Sequence, residues 1–387
     1  MSYTALALKY RPRVLEDLIG QDVVRNNIKG MLQEDRINRT IFISGPYGSG
    51  KTTVARLIAR YVNCEGERNL SDDPCGSCEP CRRMEHAAHS DYREINAADT
   101  RGIDSIRALR DRSTFMPSTR YRIYVLDEAQ GLTRDAFQAL LKILEEPPPS
   151  TIFILCTSEP QKIPSATISR CFRLSIEPVA SQDTVKILQR VVEGEKLDQK
   201  VFGDDLLFKV ANAVQGHPRD AIATLESMVH NISGRGGLGE VSDLESLVQT
   251  LAEEIIGESP INLAGRFLTG VYQGKYTKAL LALRDVKDRG AFIDTLLQFH
   301  TETMNYRFSE KLRDKMMFAW YAKLDEDLGN KESLDPGMLI RVMEILLDAS
   351  SYLRGYDVDV TIAHYALINM AVRAVHASSG FMTKAVG

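Results

Sequence analysis

Five short apolar runs punctuate the first 176 residues, separated by stretches in which apolar side chains recur every three or four positions. The runs are Thr40–Ser44 (TIFIS), Tyr92–Ile95 (YREI), Arg122–Asp127 (RIYVLD), Thr151–Cys156 (TIFILC) and Phe172–Ile176 (FRLSI). Three are almost wholly apolar, as strands covered on both faces must be, so a parallel sheet wrapped by helices is predicted. Phe137, Leu140, Leu141 and Leu144 share one helical face, and Pro147–Pro149 stops that helix because proline removes a donor and clashes with the preceding turn. Beyond Pro178 the strand signals end, and Val185, Leu188, Val191 and Val192 continue at helical spacing. The glycine-rich Gly234–Gly239 reads as a hinge or loop, followed by a second all-helical block to about His376 and a short polar tail. No internal repeat is present. The predicted organisation is an α/β domain over residues 1–178, a small helical domain over 179–242, a larger helical domain over 243–376, and a tail over 377–387.

A length of 387 residues exceeds one simple core, in keeping with that division. Hydrophobic residues at 44% and charged residues at 26% describe an ordinary globular chain. The formal net charge of -4 excludes a protein that coats DNA through bulk positive charge, so any nucleic-acid contact needs a local basic surface. The start of the chain has no long apolar segment and no run of about 18 apolar residues occurs, from which a cytoplasmic protein with no membrane association is expected.

The first strand runs into Gly45-Pro46-Tyr47-Gly48-Ser49-Gly50-Lys51-Thr52-Thr53, a full match to G-x-x-x-x-G-K-[ST] between a strand and a helix. Glycines let backbone N–H groups turn inward around phosphates at the positive end of the helix. Lys51 is then expected to reach the β- and γ-phosphates of ATP, and Thr52 to ligate Mg²⁺. The third strand ends in Asp127-Glu128, where an acidic pair faces the crevice of such a sheet. Asp127 is assigned to the hydrated Mg²⁺ and Glu128 to the attacking water; an exposed acidic strand end is the alternative. Four of six cysteines lie at Cys64, Cys75, Cys78 and Cys81, flanked by glycine and prolines. Four thiolates in this pattern predict a closed, structural Zn²⁺ site, with His86 and His89 as spare ligands and free or redox-active thiols as the other reading. Cys156 and Cys171 read as small buried apolar residues.

Further motifs carry a resemblance. Tyr10-Arg11-Pro12 and Ile19-Gly20-Gln21 precede the phosphate loop. Ala139-Leu-Leu-Lys-Ile-Leu-Glu-Glu-Pro147, Ser169-Arg170-Cys171 and Gly216-His-Pro-Arg219-Asp220 follow. In that order and spacing the chain resembles bacterial clamp-loader gamma/tau subunits, AAA+ ATPases of DNA replication, over about residues 1–225. The resemblance implies that the segment from Tyr10 to Gln21, with Tyr10, Arg11, Pro12 and Ile19, holds the adenine base, mostly with backbone and apolar groups. It implies that Ser158, or its neighbour Thr157, is the first sensor at the end of the fourth strand, and Arg219 the second sensor on a helical lid. Arg170 matches an arginine finger that acts on the nucleotide of a neighbouring subunit, a salt-bridged structural arginine being the alternative. A cysteine knuckle at this point also belongs to the family. Gln130 and Leu15 depart from it, standing where a histidine and a phenylalanine are usual.

The resemblance further implies an ATPase that opens a sliding clamp and places it on primer-template DNA. Its partners would be delta-like and delta-prime-like clamp-loader subunits, the clamp, and the replicative polymerase assembly. Arg101 and Lys142 match positions facing the DNA chamber, with solvated surface charge as the alternative for both. The C-terminal helices would form the oligomerising collar. The chain ends soon after them, so helicase or polymerase contacts through a tau-type extension are not expected. A non-hydrolysing, delta-prime-like structural subunit is the competing reading, but such a subunit has a degenerate phosphate loop, unlike Lys51, Thr52, Asp127 and Glu128 here. An unrelated AAA+ DNA motor, such as a branch-migration helicase, has no reason to combine the cysteine knuckle with Ser169-Arg170-Cys171.

Overall fold

The structure, a computed structural model, describes residues 4–33, 37–67, 72–85, 89–99, 102–214, 216–234, 260–284, 286, 289–308, 335–354 and 373. Two compact units result, one running to Val191 and taking in Gly216–Ala223, the other made of the remaining described residues.

The first unit is built on β1 (Thr40–Ser44), β2 (Tyr92–Asn96), β3 (Arg122–Asp127), β4 (Thr151–Thr157) and β5 (Phe172–Ser175). All pairings are parallel, as the apolar runs predict, in the order β2-β3-β4-β1-β5. Each predicted run is a strand to within one residue. The pleat sorts its side chains between two cores. Ile41, Ile43, Ile123, Val125, Ile152 and Ile154 pack on one face with α2 (Asp22–Gln33) and α3 (Lys51–Asn63). Phe42, Tyr124, Leu126, Phe153 and Leu155 pack on the other with α5 (Ile103–Ser113) and α6 (Arg134–Glu145). Tyr124 and Phe153 stack there with ring centroids 5.6 Å apart. All seven residues of β4 are buried, which explains a run with no polar alternation. Each such aliphatic side chain contributes about 1.5–3 kcal/mol on burial, so the sheet is a rigid platform for whatever its strand ends carry.

The second unit is helical. The helices Pro260–Tyr272 and Tyr276–Arg284 form a hairpin, and the first also packs on Arg289–Phe308, which in turn packs on Pro336–Arg354. Its core includes an edge-to-face pair, Phe267 and Phe292, with centroids 6.0 Å apart. Inside it the Tyr272 hydroxyl bonds His300 Nδ1 at 2.6 Å, and His300 Nε2 donates to the Leu339 carbonyl at 2.7 Å. That tautomer satisfies all three buried groups. Of the glycine-rich segment Gly234–Gly239 expected as a hinge or loop, Gly234 is the last residue of α10 (Pro218–Gly234), and residues 235–239 and the tail lie outside the described residues.

Candidate functional site

β1 ends at Ser44, and the chain turns back on itself before α3 begins at Lys51. The turn needs left-handed backbone at Gly48 (φ 74°) and Gly50 (φ 103°), a region closed to most side chains. That geometry aims backbone amides and the N-terminus of a 13-residue helix at one point, an anion-binding arrangement. Lys51 is only 5% exposed, and its ammonium donates to the carbonyls of Gly45 at 3.1 Å and Pro46 at 2.8 Å. These two bonds hold the charge over the loop.

A cleft of about 760 Å³ opens beside the loop, in the range of small-molecule sites. Tyr47, Gly48, Ser49, Gly50, Lys51, Thr52 and Thr53 line one side, with Asp127 and Glu128 at its end. Gly45 and Pro46 contribute through the carbonyls that hold Lys51. Tyr10, Arg11, Pro12 and Ile19, from the segment before α2, supply a further wall. That wall is fastened from outside: the Leu15 amide donates to Tyr61 Oη at 3.1 Å, and Asp17 Oδ2 accepts from the Arg13 amide at 3.0 Å. Arg190 Nη1, on α8 (Ser181–Gly194), donates to Asp17 Oδ1 at 3.1 Å. Gln21 clamps the sheet exit, its amide donating to the Glu177 carbonyl at 2.7 Å and accepting from the Glu177 amide at 3.3 Å.

Arg219 also lines the cleft. Gly216 places it: with φ 79°, its carbonyl accepts from the Val179 amide at 3.0 Å. A Cβ at Gly216 would lie 2.7 Å from the Val179 carbonyl oxygen. Only glycine lets the chain approach so closely and swing the first turn of α10 over the phosphate loop. Arg11 adds a second cation to the cleft. Burial lowers its pKa, Arg56 and Arg219 lower it further, and Glu94 opposes them. Glu94 itself is pushed up by burial, but Arg56 Nη2, donating at 2.7 Å, and the Tyr92 hydroxyl, at 2.6 Å, hold its carboxyl below the usual value. Arg11 therefore brings charge to a wall read from sequence as mostly backbone and apolar.

At the strand ends the Thr52 hydroxyl donates to Asp127 Oδ2 at 2.9 Å. Two oxygen ligands suited to a hard cation thus stand together. Glu128 has left-handed backbone (φ 49°, ψ 49°), unusual outside glycine and frequent at functional sites. Ser158 does not line the cleft, but its hydroxyl donates to Glu128 Oε2 at 3.0 Å. Gln130 joins them both; in sequence it stands out only as a departure from the family pattern, because its partner Ser158 lies 28 residues away. Asn96, which also lines the cleft, carried no motif at all.

Arg170 lies outside the cleft of its own chain. It follows the short helix α7 (Ser165–Ile168), and its Nε donates to Glu145 Oε1 at 2.7 Å while Nη1 donates to the Ala166 carbonyl at 2.7 Å. Lys142 is exposed in a groove between α5 and α6, beside Arg107 and Arg110. Arg101 lies outside the described residues.

The Sγ atoms of Cys64, Cys75, Cys78 and Cys81 all lie within 4.8 Å of one another. Cys64 caps α3, and the chain folds back so that the Cys75 amide donates to Cys64 Sγ at 3.3 Å and the Cys78 amide to Cys75 Sγ at 3.4 Å. Backbone donation from Cys78 and Ser77 lowers the Cys75 thiol to about 5, whereas burial and the neighbouring thiols push Cys81 up to about 12. One thiolate is favoured and the next resisted, so four together call for a cation; the set fits tetrahedral zinc. His89 is buried and its Nδ1 accepts from the Asp91 amide at 3.0 Å, and among the described residues the cluster holds cysteines alone. His86 lies outside the described residues. Tyr61 joins this knuckle to the cleft wall, since its hydroxyl both accepts from Leu15 and donates to Asp73. Cys156 is fully buried and Cys171 half-buried. Among the described residues no helix is long and apolar enough to cross a membrane.

A family model described as DNA polymerase III, delta subunit, matches residues 20–180. The DNA polymerase III subunit tau of Bacillus subtilis is 32% identical over 355 residues, covering 90% of this chain and 60% of that protein. The DNA polymerase III subunit gamma of Buchnera aphidicola subsp. Acyrthosiphon pisum is 33% identical over 249 residues, covering 64% of this chain and 68% of that one. The Escherichia coli subunit tau is 34% identical over 243 residues, 62% of this chain and 37% of that protein. The chain thus spans less than two thirds of the Bacillus protein and little more than a third of the Escherichia one. Among solved structures, the Thermotoga maritima RuvB Holliday junction branch migration motor aligns with a TM-score of 0.46 at 16% identity, over 63% of this chain and 72% of that one.

Proposed function

The chain belongs to the DNA polymerase III gamma/tau family, and from that premise we propose that it is the ATP-hydrolysing subunit of a sliding-clamp loader. In this reading it binds and hydrolyses ATP so that a ring-shaped clamp is opened and left on primer-template DNA. It works beside delta-like and delta-prime-like subunits and serves a replicative polymerase assembly. The observation that carries the reading is the direct bond from Thr52 to Asp127, with Lys51 and Glu128 in the same cleft. A purely structural subunit has no use for that set.

The residues divide the work by their chemistry. The loop amides and Lys51 take the β- and γ-phosphates, and Arg219 and Arg11 bring further positive charge into the cleft. The wall formed by Tyr10, Pro12 and Ile19 takes the base. When bound with ATP, Mg²⁺ supplies charge neutralisation at the phosphates, and Thr52 and Asp127 are the residues that would hold it. Glu128 orients and polarises the attacking water, with Ser158 sensing the terminal phosphate beside it. Arg170 completes the site of a neighbouring subunit. Cys64, Cys75, Cys78 and Cys81 would hold Zn²⁺ in a structural role, since four thiolates would fill a tetrahedral site. Residues 179–242 act as the lid and 243–376 as the collar, and Lys142 with Arg101 faces DNA phosphates.

A clamp- and DNA-stimulated ATPase assay tests the reading. Glu128→Gln should bind ATP and Mg²⁺ normally, lose most of its turnover, and stall with clamp and DNA still held. Turnover equal to the native protein's would refute the role given to Glu128, and a native protein without stimulated turnover would refute the motor assignment.

A further inference from the structure

Gln130 occupies the short 3-10 turn Ala129–Gly131, entered through the left-handed backbone of Glu128. The reversal brings its side chain back over the ends of β3 and β4. Its Nε2 donates to Glu128 Oε2 at 2.6 Å and to Ser158 Oγ at 3.0 Å, and its Oε1 accepts from Thr157 Oγ1 at 2.6 Å. Ser158 in turn donates to the same Glu128 oxygen at 3.0 Å. Every polar hydrogen in this group has an acceptor, two of them sharing Glu128 Oε2. The amide has one workable orientation, because a flip would set its carbonyl oxygen against the Glu128 carboxylate.

We propose that Gln130 is a positioning residue for hydrolysis, its amide locking the Glu128 carboxylate and the Ser158 hydroxyl into a single unit. This rests on the reading of Glu128 as the group that polarises the attacking water. Three features make the amide suited to the task. It donates twice, so it holds carboxylate and hydroxyl at once. It accepts from Thr157, a fully buried residue at the end of the rigid central strand β4, which fixes the amide's plane. It carries no charge, so it orients Glu128 without neutralising it and without titrating itself. Glu128 and Ser158 leave different strands and are separated in sequence by 30 residues. Gln130 supplies the contact through which a shift at one is felt at the other.

The test uses the full chain, with ATP hydrolysis and equilibrium binding of a fluorescent ATP analogue measured side by side. Gln130→Leu is expected to lower kcat on the order of 10- to 100-fold, the usual cost of misplacing a catalytic group, with nucleotide affinity unchanged. On a Glu128→Gln background the same change should cost little, because a residue acting through Glu128 has nothing left to position. Gln130→Glu is close to isosteric and keeps the question open should the leucine variant fold poorly. It sets a second carboxyl against Glu128, so the pair must share a proton. Its rate should rise with pH through a step absent from the native profile. An equal loss from Gln130→Leu on both backgrounds, or a Gln130→Glu profile without the extra step, would overturn the proposal. If Glu128→Gln alone leaves turnover intact, it is the underlying reading of Glu128 that fails.

Discussion

The Thr52 hydroxyl donates to Asp127 Oδ2 at 2.9 Å, although the two residues lie 75 positions apart. The first turn of α3 and the end of β3 are thereby fixed to each other across the floor of the cleft. Asp127 ends β3, whose four middle residues are buried, so the pair ties a rigid strand end to the helix that follows the phosphate loop.

Removing either member is expected to act on Mg²⁺-dependent binding. Thr52→Val keeps the side-chain shape and deletes the hydroxyl, so affinity for a fluorescent ATP analogue should fall with Mg²⁺ present and change little without it. Lys51→Ala should abolish measurable ATP binding in both conditions, because it removes the buried ammonium that the Gly45 and Pro46 carbonyls aim into the loop. Normal affinity in Lys51→Ala would disprove the assignment of this loop.

Much of this site is legible in sequence, for a physical reason. Strands buried on both faces must be apolar throughout, and a phosphate loop must have glycine where φ is positive, so β1, β3, β4, Gly48 and Gly50 leave local marks. The clamp of Gln21 on Glu177 and the joint of Gln130 to Ser158 leave none, because each is one polar residue finding its partner through the tertiary fold. Arg11 reads in sequence as part of a mostly backbone and apolar wall for the same reason. Its charge matters through Arg56, Glu94 and Arg219, which come from three other elements.

The cysteine cluster predicts about one zinc per chain, lost only under denaturing or strongly chelating conditions. Metal analysis before and after chelation, with thermal melts on the same samples, checks this. Zinc loss should lower the melting temperature without removing any residue that touches nucleotide. A zinc-free protein that melts like the zinc-bound one would show that the thiols are not a metal site.

The helical unit carries its own pH dependence. Burial lowers His300 from 6.5 to about 4, only partly offset by its bond to the Leu339 carbonyl. A neutral imidazole is therefore favoured in the folded state, and the unfolded chain binds the extra proton between those two values. The stabilisation is complete above about pH 6.5 and lost as pH falls toward 4, by up to about 3 kcal/mol for a shift of this size. Urea unfolding at pH 7.5, 6 and 5 should show the loss in the native protein. His300→Gln should be less stable at neutral pH and lack that part of the pH dependence. Parallel pH profiles for the two proteins would remove His300 as the cause.

Arg170 yields the sharpest test. Its guanidinium is held against Glu145 and the Ala166 carbonyl, and it does not line the cleft of its own chain. An arginine so placed acts either on a neighbouring subunit's nucleotide or only as a structural tie between α6 and the segment after α7. The two roles separate by mixing. Loss of an arginine finger typically costs about 10³–10⁵ in rate, since its charge matches what develops on the transferred phosphoryl group. Arg170→Ala should therefore bind ATP nearly normally and hydrolyse it poorly, whereas Lys51→Ala should not bind. Co-expressing both variants with the partner subunits allows interfaces that pair an intact Lys51 with an intact Arg170. Part of the stimulated ATPase activity should then return. A residue acting within its own chain predicts no recovery at any ratio, because every chain would still carry one defect in its own site. Glu145→Gln sharpens the result: it weakens the tie while leaving the guanidinium in place. Its rate should fall far less than that of Arg170→Ala if the arginine acts in trans, and both variants should lose stability equally if the tie is all there is. Proven mixed rings without rescue would leave Arg170 a structural residue.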